Sequence, residues 1–199
     1  MSSTTTALQL SLHALNLPAD SEVLVADFTF PATANIVVTE GLTPVLVDIN
    51  LDTFSMDPLD LERRVTDKSR AIIPVHAFGC SADMDAIMAV AKKHHLAVIE
   101  DAACALATTY NGRFVGTIGD FGCFSFHPRK AITTGEGGLI TTENDQLAEK
   151  AAVLRNHGGV KGDFFYRYEE AGYNFRLSDI QGAVGVAQME KLDWILENK

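Results

Sequence analysis

The stretch Leu96-Ala97-Val98-Ile99-Glu100-Asp101-Ala102-Ala103 passes in one step from continuous apolar to acidic to small. Its apolar part is too short for a helix and shows no alternation, so it predicts a strand covered on both faces, as in a parallel sheet. Three other runs read the same way: Glu22-Val23-Leu24-Val25-Ala26, Pro44-Val45-Leu46-Val47-Asp48 and Ala71-Ile72-Ile73-Pro74-Val75. Helical segments separate them. Asp83 is placed to cap a helix whose Met84, Ile87, Met88, Ala91 and His95 recur at helical spacing. Phe121-Gly122-Cys123-Phe124-Ser125-Phe126 and Leu139-Ile140-Thr141-Thr142 predict two further strands, and Tyr110-Asn111-Gly112-Arg113 a hairpin turn. Ser178 and Gln181 form an S-x-x-Q capping box that opens a last helix, carrying Ile180, Val184, Ala187 and Ile195 on one face and running to Lys199. The expected fold is a single α/β domain of three αβα layers, with a mostly parallel, mixed sheet.

Composition limits what such a domain can do. The 199 residues include 16 basic and 26 acidic side chains, a formal net charge of −10, and 47% are hydrophobic. That balance suits a folded globular domain with a real core. A pI near 4.9 argues against nucleic-acid binding that rests on general charge. No run of eighteen apolar residues offers a membrane span, and Met1-Ser2-Ser3-Thr4-Thr5-Thr6 lacks the basic and apolar regions of a secretory signal. Cys80, Cys104 and Cys123 are odd in number, without a CxxC pair or a nearby His at zinc spacing. They read as reduced thiols in a cytoplasmic protein without a structural metal.

Ligands of an open parallel sheet gather beyond the carboxyl ends of its strands. The polar residues found there are Asp27, Asp48, His76, Glu100-Asp101 and Ser125 through Lys130. Asp27 and Asp48 read as turn or cap residues and His76 as a hydrogen-bonded structural histidine. Asp101 is flanked by Ala102 and Ala103, which leave room for a ligand, although a helix or turn cap explains a lone aspartate equally well. A carboxylate there calls for a cation or a protonated ring as its partner. Lys130 stands in a Ser-, Thr- and Gly-rich segment in which Gly135, Gly137 and Gly138 permit positive φ or close backbone approach. The plain alternative is a surface loop with an exposed lysine. The order of residues is neither that of a Walker loop nor that of a dinucleotide fingerprint. Thr4, Thr5 and Thr6 open a helix whose first N–H groups suit an anion, or are simple caps. Phosphate anchor, carboxylate and lysine together match the needs of pyridoxal 5′-phosphate, with Phe28 and Phe30 available to cover a ring.

The motifs also resemble those of DegT/DnrJ/StrS-type aminotransferases over the whole chain. The matching stretches are Phe28-Thr29-Phe30-Pro31-Ala32-Thr33-Ala34, Thr43 through Ile49, Ile73-Pro74-Val75-His76, and Ile99 through Ala103. Cys123 through Lys130, Thr134 through Gly138, Leu154 through Gly158 and Gly172 through Gln181 complete them. The resemblance implies the fold-type I aminotransferase architecture and transfer of an amino group, usually from glutamate, to a keto group on a nucleotide-linked sugar. It implies Lys130 as the Schiff-base lysine and Asp101 as partner of the pyridine nitrogen. Thr5, Thr6 and Ser125 fall at phosphate-binding positions, Phe30 at the ring-stacking aromatic, and Cys104 at a place often held by a cofactor-contacting Gln or His. Asn174 matches an asparagine that reaches the phosphate of the neighbouring subunit, which implies a homodimer with shared sites. Donor recognition has only Arg129 as a candidate, by proximity. Full members have a segment before the Ser-Ser-Thr region and a smaller domain after the Leu192-Asp193-Trp194 helix. Residues 1–199 are therefore expected to be the cofactor-binding large domain without those pieces. Two other readings stand beside this one: a catalytically silent domain that binds cofactor or dimerises, and a dehydratase-like relative, against which the retained Lys130 argues. A nicotinamide-binding module lacks its glycine fingerprint.

Overall fold

The computed structural model describes residues 1–162 and 165–198. The chain opens on helix α1 (Thr4–Ala14) and continues through β1 (Glu22–Ala26), α2 (Ala32–Thr39), β2 (Thr43–Val47), α3 (Pro58–Arg64) and β3 (Ser69–Ile73). A 3-10 turn (Ala77–Gly79), α4 (Met84–His94) and β4 (Ala97–Asp101) follow, then the hairpin β5 (Thr109–Tyr110) and β6 (Arg113–Phe114). β7 (Phe121–Ser125), β8 (Gly138–Thr141), α5 (Asp145–Arg155), β9 (Gly159–Lys161), β10 (Tyr166–Tyr168), α6 (Asp179–Met189) and α7 (Leu192–Glu197) complete the order.

Six strands form one sheet in the order β2-β1-β3-β4-β7-β8. The first five are parallel and β8 runs antiparallel to β7. The mixed sheet is thus the one the apolar runs predict. Alternation along each strand sends side chains to two cores. Val23, Val25, Ala71, Ile73, Ile99, Phe121 and Cys123 pack with α1, α2 and α5. Leu24, Ala26, Ile72 and Val98 pack with α3 and α4 on the other face. These are the three expected layers. The back of β7 is different: a Cβ on Gly122 would come within 2.0 Å of the Gly116 carbonyl oxygen, so only glycine lets the 116–119 loop lie on the sheet.

Three boundaries differ from expectation. α4 stops at His94 because His95 is a left-handed C-cap (φ 55°), so His95 does not join the helical stripe. β3 ends before Pro74, and Val75 keeps only an isolated bridge to Asp101. The last helix is broken into α6 and α7 between Met189 and Leu192, and Lys199 lies outside the described residues. Ser178 caps α6 with the expected box, yet neither helix buries a single residue. No helix among the described residues is long and apolar enough to cross a membrane.

Candidate active site

β4 carries the two carboxylates of the opening stretch, and the strand alternation separates them. Glu100 faces the 116–119 loop, where its oxygens accept from the backbone N–H groups of Gly116, Ile118 and Gly119, each at 2.7 Å. His76 Nε2 lies 3.0 Å away, and His76 Nδ1 accepts from the Ala82 N–H, which makes Nε2 the protonated nitrogen. Burial alone would raise the Glu100 pKa, but the His76 bond and the backbone donors outweigh it and hold the carboxyl below the usual glutamate range. This buried pair is structural, as expected for His76.

Asp101 faces the other way, into a cavity of ≈ 450 Å³. Its Oδ2 accepts from the Thr33 hydroxyl at 2.8 Å and its Oδ1 from the Ala103 N–H at 3.1 Å. Burial dominates here and pushes its pKa up, against the lowering effect of these two bonds and of the more distant His76 and Lys130. A cation facing Asp101 would reverse that preference.

The same cavity is lined by Thr5, Phe30, Ser125, Arg129, Lys130 and Glu136. Residues as far apart in the chain as Thr5 and Glu136 are thus brought together. α1 enters through its N-terminus: Ser3 is the N-cap, and the N–H groups of Thr4 and Thr5 have no intrahelical acceptor. Two details hold it there. The buried Thr4 hydroxyl donates to the Phe124 carbonyl at 3.0 Å, and a Cβ on Gly138 would stand 2.6 Å from the Ser3 backbone. Gly135 takes a φ of 82° in the same loop, so both uses foreseen for the glycines occur. Phe30 is 73% exposed at the cavity, a ring with a free face.

Three of the residues singled out from the sequence lie elsewhere. Thr6 does not line the cavity; its hydroxyl oxygen accepts from the Ser3 N–H at 3.1 Å, which completes the capping box of α1, and the hydroxyl donates to the Ser3 carbonyl. Cys104 is exposed outside the cavity lining, with its sulfur 3.0 Å from Lys130 Nζ. Asn174 is exposed and bridges backbone to Asn156, away from the cavity. Thr33 is the residue that sequence reasoning missed. It belongs to a quoted motif, but its partner lies 68 positions on, and no spacing rule connects them.

Comparison with known proteins agrees with this geometry. The sequence profile of the DegT/DnrJ/EryC1/StrS aminotransferase family matches residues 1–199. The chain belongs to this family. A curated DegT/DnrJ/EryC1/StrS relative, a GDP-perosamine synthase from Caulobacter vibrioides, is 47% identical over 95% of the chain and 51% of its own length. Among solved structures of the aminotransferase fold, an aminotransferase from Psychrobacter cryohalolentis superposes with a TM-score of 0.92 at 40% identity. The match covers 96% of this chain and 51% of that one. Helicobacter pylori PseC, an aminotransferase involved in the biosynthesis of pseudoaminic acid, gives 0.91 at 36% identity, over 97% and 53%. The chain spans about half the length of the curated relatives it matches.

Proposed function

We infer that the chain carries the cofactor-binding part of a pyridoxal 5′-phosphate-dependent aminotransferase that acts on a keto sugar attached to a nucleotide. The observation that carries this reading is the buried Asp101 carboxyl sharing one cavity with the Lys130 amine and the open N-terminus of α1. A carboxyl pushed up by burial suits a protonated ring nitrogen, because the cation supplies the charge that the protein leaves out. The N–H groups of Thr4 and Thr5, with the hydroxyls of Thr5 and Ser125, suit a phosphate. Phe30 suits the ring face.

When bound, the cofactor supplies an electron sink for the carbanion left at the α-carbon of an amino donor. Asp101 would keep the ring nitrogen protonated, and Thr33 and Ala103 fix the orientation of the Asp101 carboxyl. Lys130 would hold the cofactor and would be the base for the proton at the donor α-carbon. Arg129, in the cavity lining, is a candidate cation for a donor carboxylate such as that of glutamate. By the family resemblance, Asn174 would serve the phosphate of a second copy in a homodimer, and its exposure outside its own cavity is consistent with that. The relatives' roles in GDP-perosamine and pseudoaminic acid formation support the sugar acceptor.

Titration of the purified chain with pyridoxal 5′-phosphate tests the assignment. The expected result is a visible absorption band and, after borohydride reduction, a pyridoxyl group mapped to Lys130. Lys130→Ala, shown to be folded by circular dichroism, is expected to lose both. A band that survives in Lys130→Ala, or none in the parent chain, would overturn the reading.

A further inference from the structure

Cys104 and Lys130 are two nucleophiles in direct contact. Cys104 sits in the turn that leaves β4, held by the Ala103 N–H on Asp101 and the Ala105 N–H on the Ala102 carbonyl. Lys130 closes a turn in which its own N–H donates to the His127 carbonyl. Both backbones are therefore fixed, and the side chains bring sulfur and nitrogen to 3.0 Å. Held geometry of this kind strongly favours reaction between the groups. The other thiols differ. Cys123 is buried beside Ser11, and burial pushes its thiol far up. The Cys80 sulfur is exposed and faces the Ser81 carbonyl at 3.8 Å.

We propose that Cys104 and Lys130 form a reversible sulfur–nitrogen cross-link when the protein meets a peroxide. In the first step the Cys104 sulfur attacks the peroxide O–O bond. An S–O bond forms, hydrogen peroxide is reduced to water, and the thiol is oxidised by two electrons to a sulfenic acid. In the second step the Lys130 amine attacks that sulfur. The S–N bond forms as S–O breaks, and the leaving hydroxide takes the amine proton as a second water. No further oxidant is needed. A thiol reductant that attacks the sulfur releases the amine and restores the starting state.

The test uses the full chain, free of cofactor, treated with hydrogen peroxide and read by intact mass and peptide mapping. A Cys80–Cys104 disulfide would lose the same two hydrogens, and Gly79 packs on the Cys104 backbone, so the experiment is run in Cys80→Ser. The expected product is a Cys104–Lys130 linked peptide lighter by two hydrogens and restored by dithiothreitol. It is expected to vanish in Cys104→Ser and in Lys130→Ala. Oxygen addition at Cys104 without a link, or a loss of two hydrogens at Cys104 that persists in Lys130→Ala, overturns the proposal. Protection by pyridoxal 5′-phosphate rests on the proposed function, whereas the link itself does not. A link formed equally in cofactor-saturated protein would support the cross-link and count against the cofactor assignment.

Discussion

Glu100 and Asp101 are neighbours on β4 with opposite electrostatic fates, and the difference lies in their donors. Three backbone N–H groups and His76 converge on Glu100. Glu100→Gln would turn an amide NH₂ toward some of these donors, so a loss of roughly 3–5 kcal/mol is expected in urea unfolding at neutral pH. The pH dependence follows from the lowered pKa: the stabilisation is full above the ordinary glutamate range and is lost as pH falls through the depressed folded value. The acid limb of a Tm-against-pH curve is therefore expected to flatten in Glu100→Gln. Asp101 has the reverse sign. Its folded pKa is raised, so stability falls as pH climbs from the ordinary aspartate value through the raised one. Asn fits the site, since its oxygen can accept from Ala103 while its NH₂ donates to Thr33, whose hydroxyl then donates to Thr29 at 2.9 Å. Asp101→Asn is thus expected to leave the cofactor-free chain as stable or more stable above that range, in the same unfolding assay. Pyridoxal 5′-phosphate affinity, read by titration, is expected to fall.

At the level of elements, the site depends on how closely the start of α1 approaches β7 and β8. Gly138 is opposite Ser125 in the sheet and leaves no room for a Cβ against Ser3 and Thr4. Gly138→Ala must push α1 outward, with an expected cost of about 1–3 kcal/mol. Ser3→Ala removes only a cap, for about 1 kcal/mol. The two are expected to separate on cofactor affinity, which Gly138→Ala lowers further for a given loss in denaturant midpoint. A larger effect from the cap variant would show that the approach of the helix is not what shapes the cavity. The same region shows why part of the site was legible in the sequence and part was not. Asp101, Ser125 and Lys130 follow or flank strands that continuous apolar runs reveal, so their convergence beyond the carboxyl ends of those strands could be anticipated. Thr6 could not be told from an anion ligand, because a capping hydroxyl and a phosphate-binding hydroxyl are the same group at the same helix start. The role of Thr33 depends on a contact from α2 to the carboxyl end of β4 that leaves no local pattern.

For the whole molecule, the two sheet-facing cores close without α6 and α7. The break between these helices falls at Glu190-Lys191, where no Pro or Gly marks it, so periodicity alone joined them. The polar ties of α6 are to the Lys130 loop: Gln181 Nε2 donates to the Glu136 carbonyl at 2.7 Å, and the Thr133 N–H donates to Gln188 Oε1 at 3.2 Å. Ile180, Val186 and Trp194 stay 81%, 63% and 66% exposed. Exposed apolar side chains on helices outside both cores are where the homodimer contact proposed above is tested. Ile180→Asp combined with Val186→Lys is therefore expected to change unfolding free energy by no more than about 0.5 kcal/mol per site. In the parent chain, association is expected to rise with protein concentration in sedimentation velocity, and the double variant is expected to weaken it. Trp194 is the sole tryptophan, so its emission reports on this surface alone. A blue shift with concentration in the parent, absent from the double variant, would place association on α6 and α7. A large stability loss in the double variant would instead mean that these helices belong to the core.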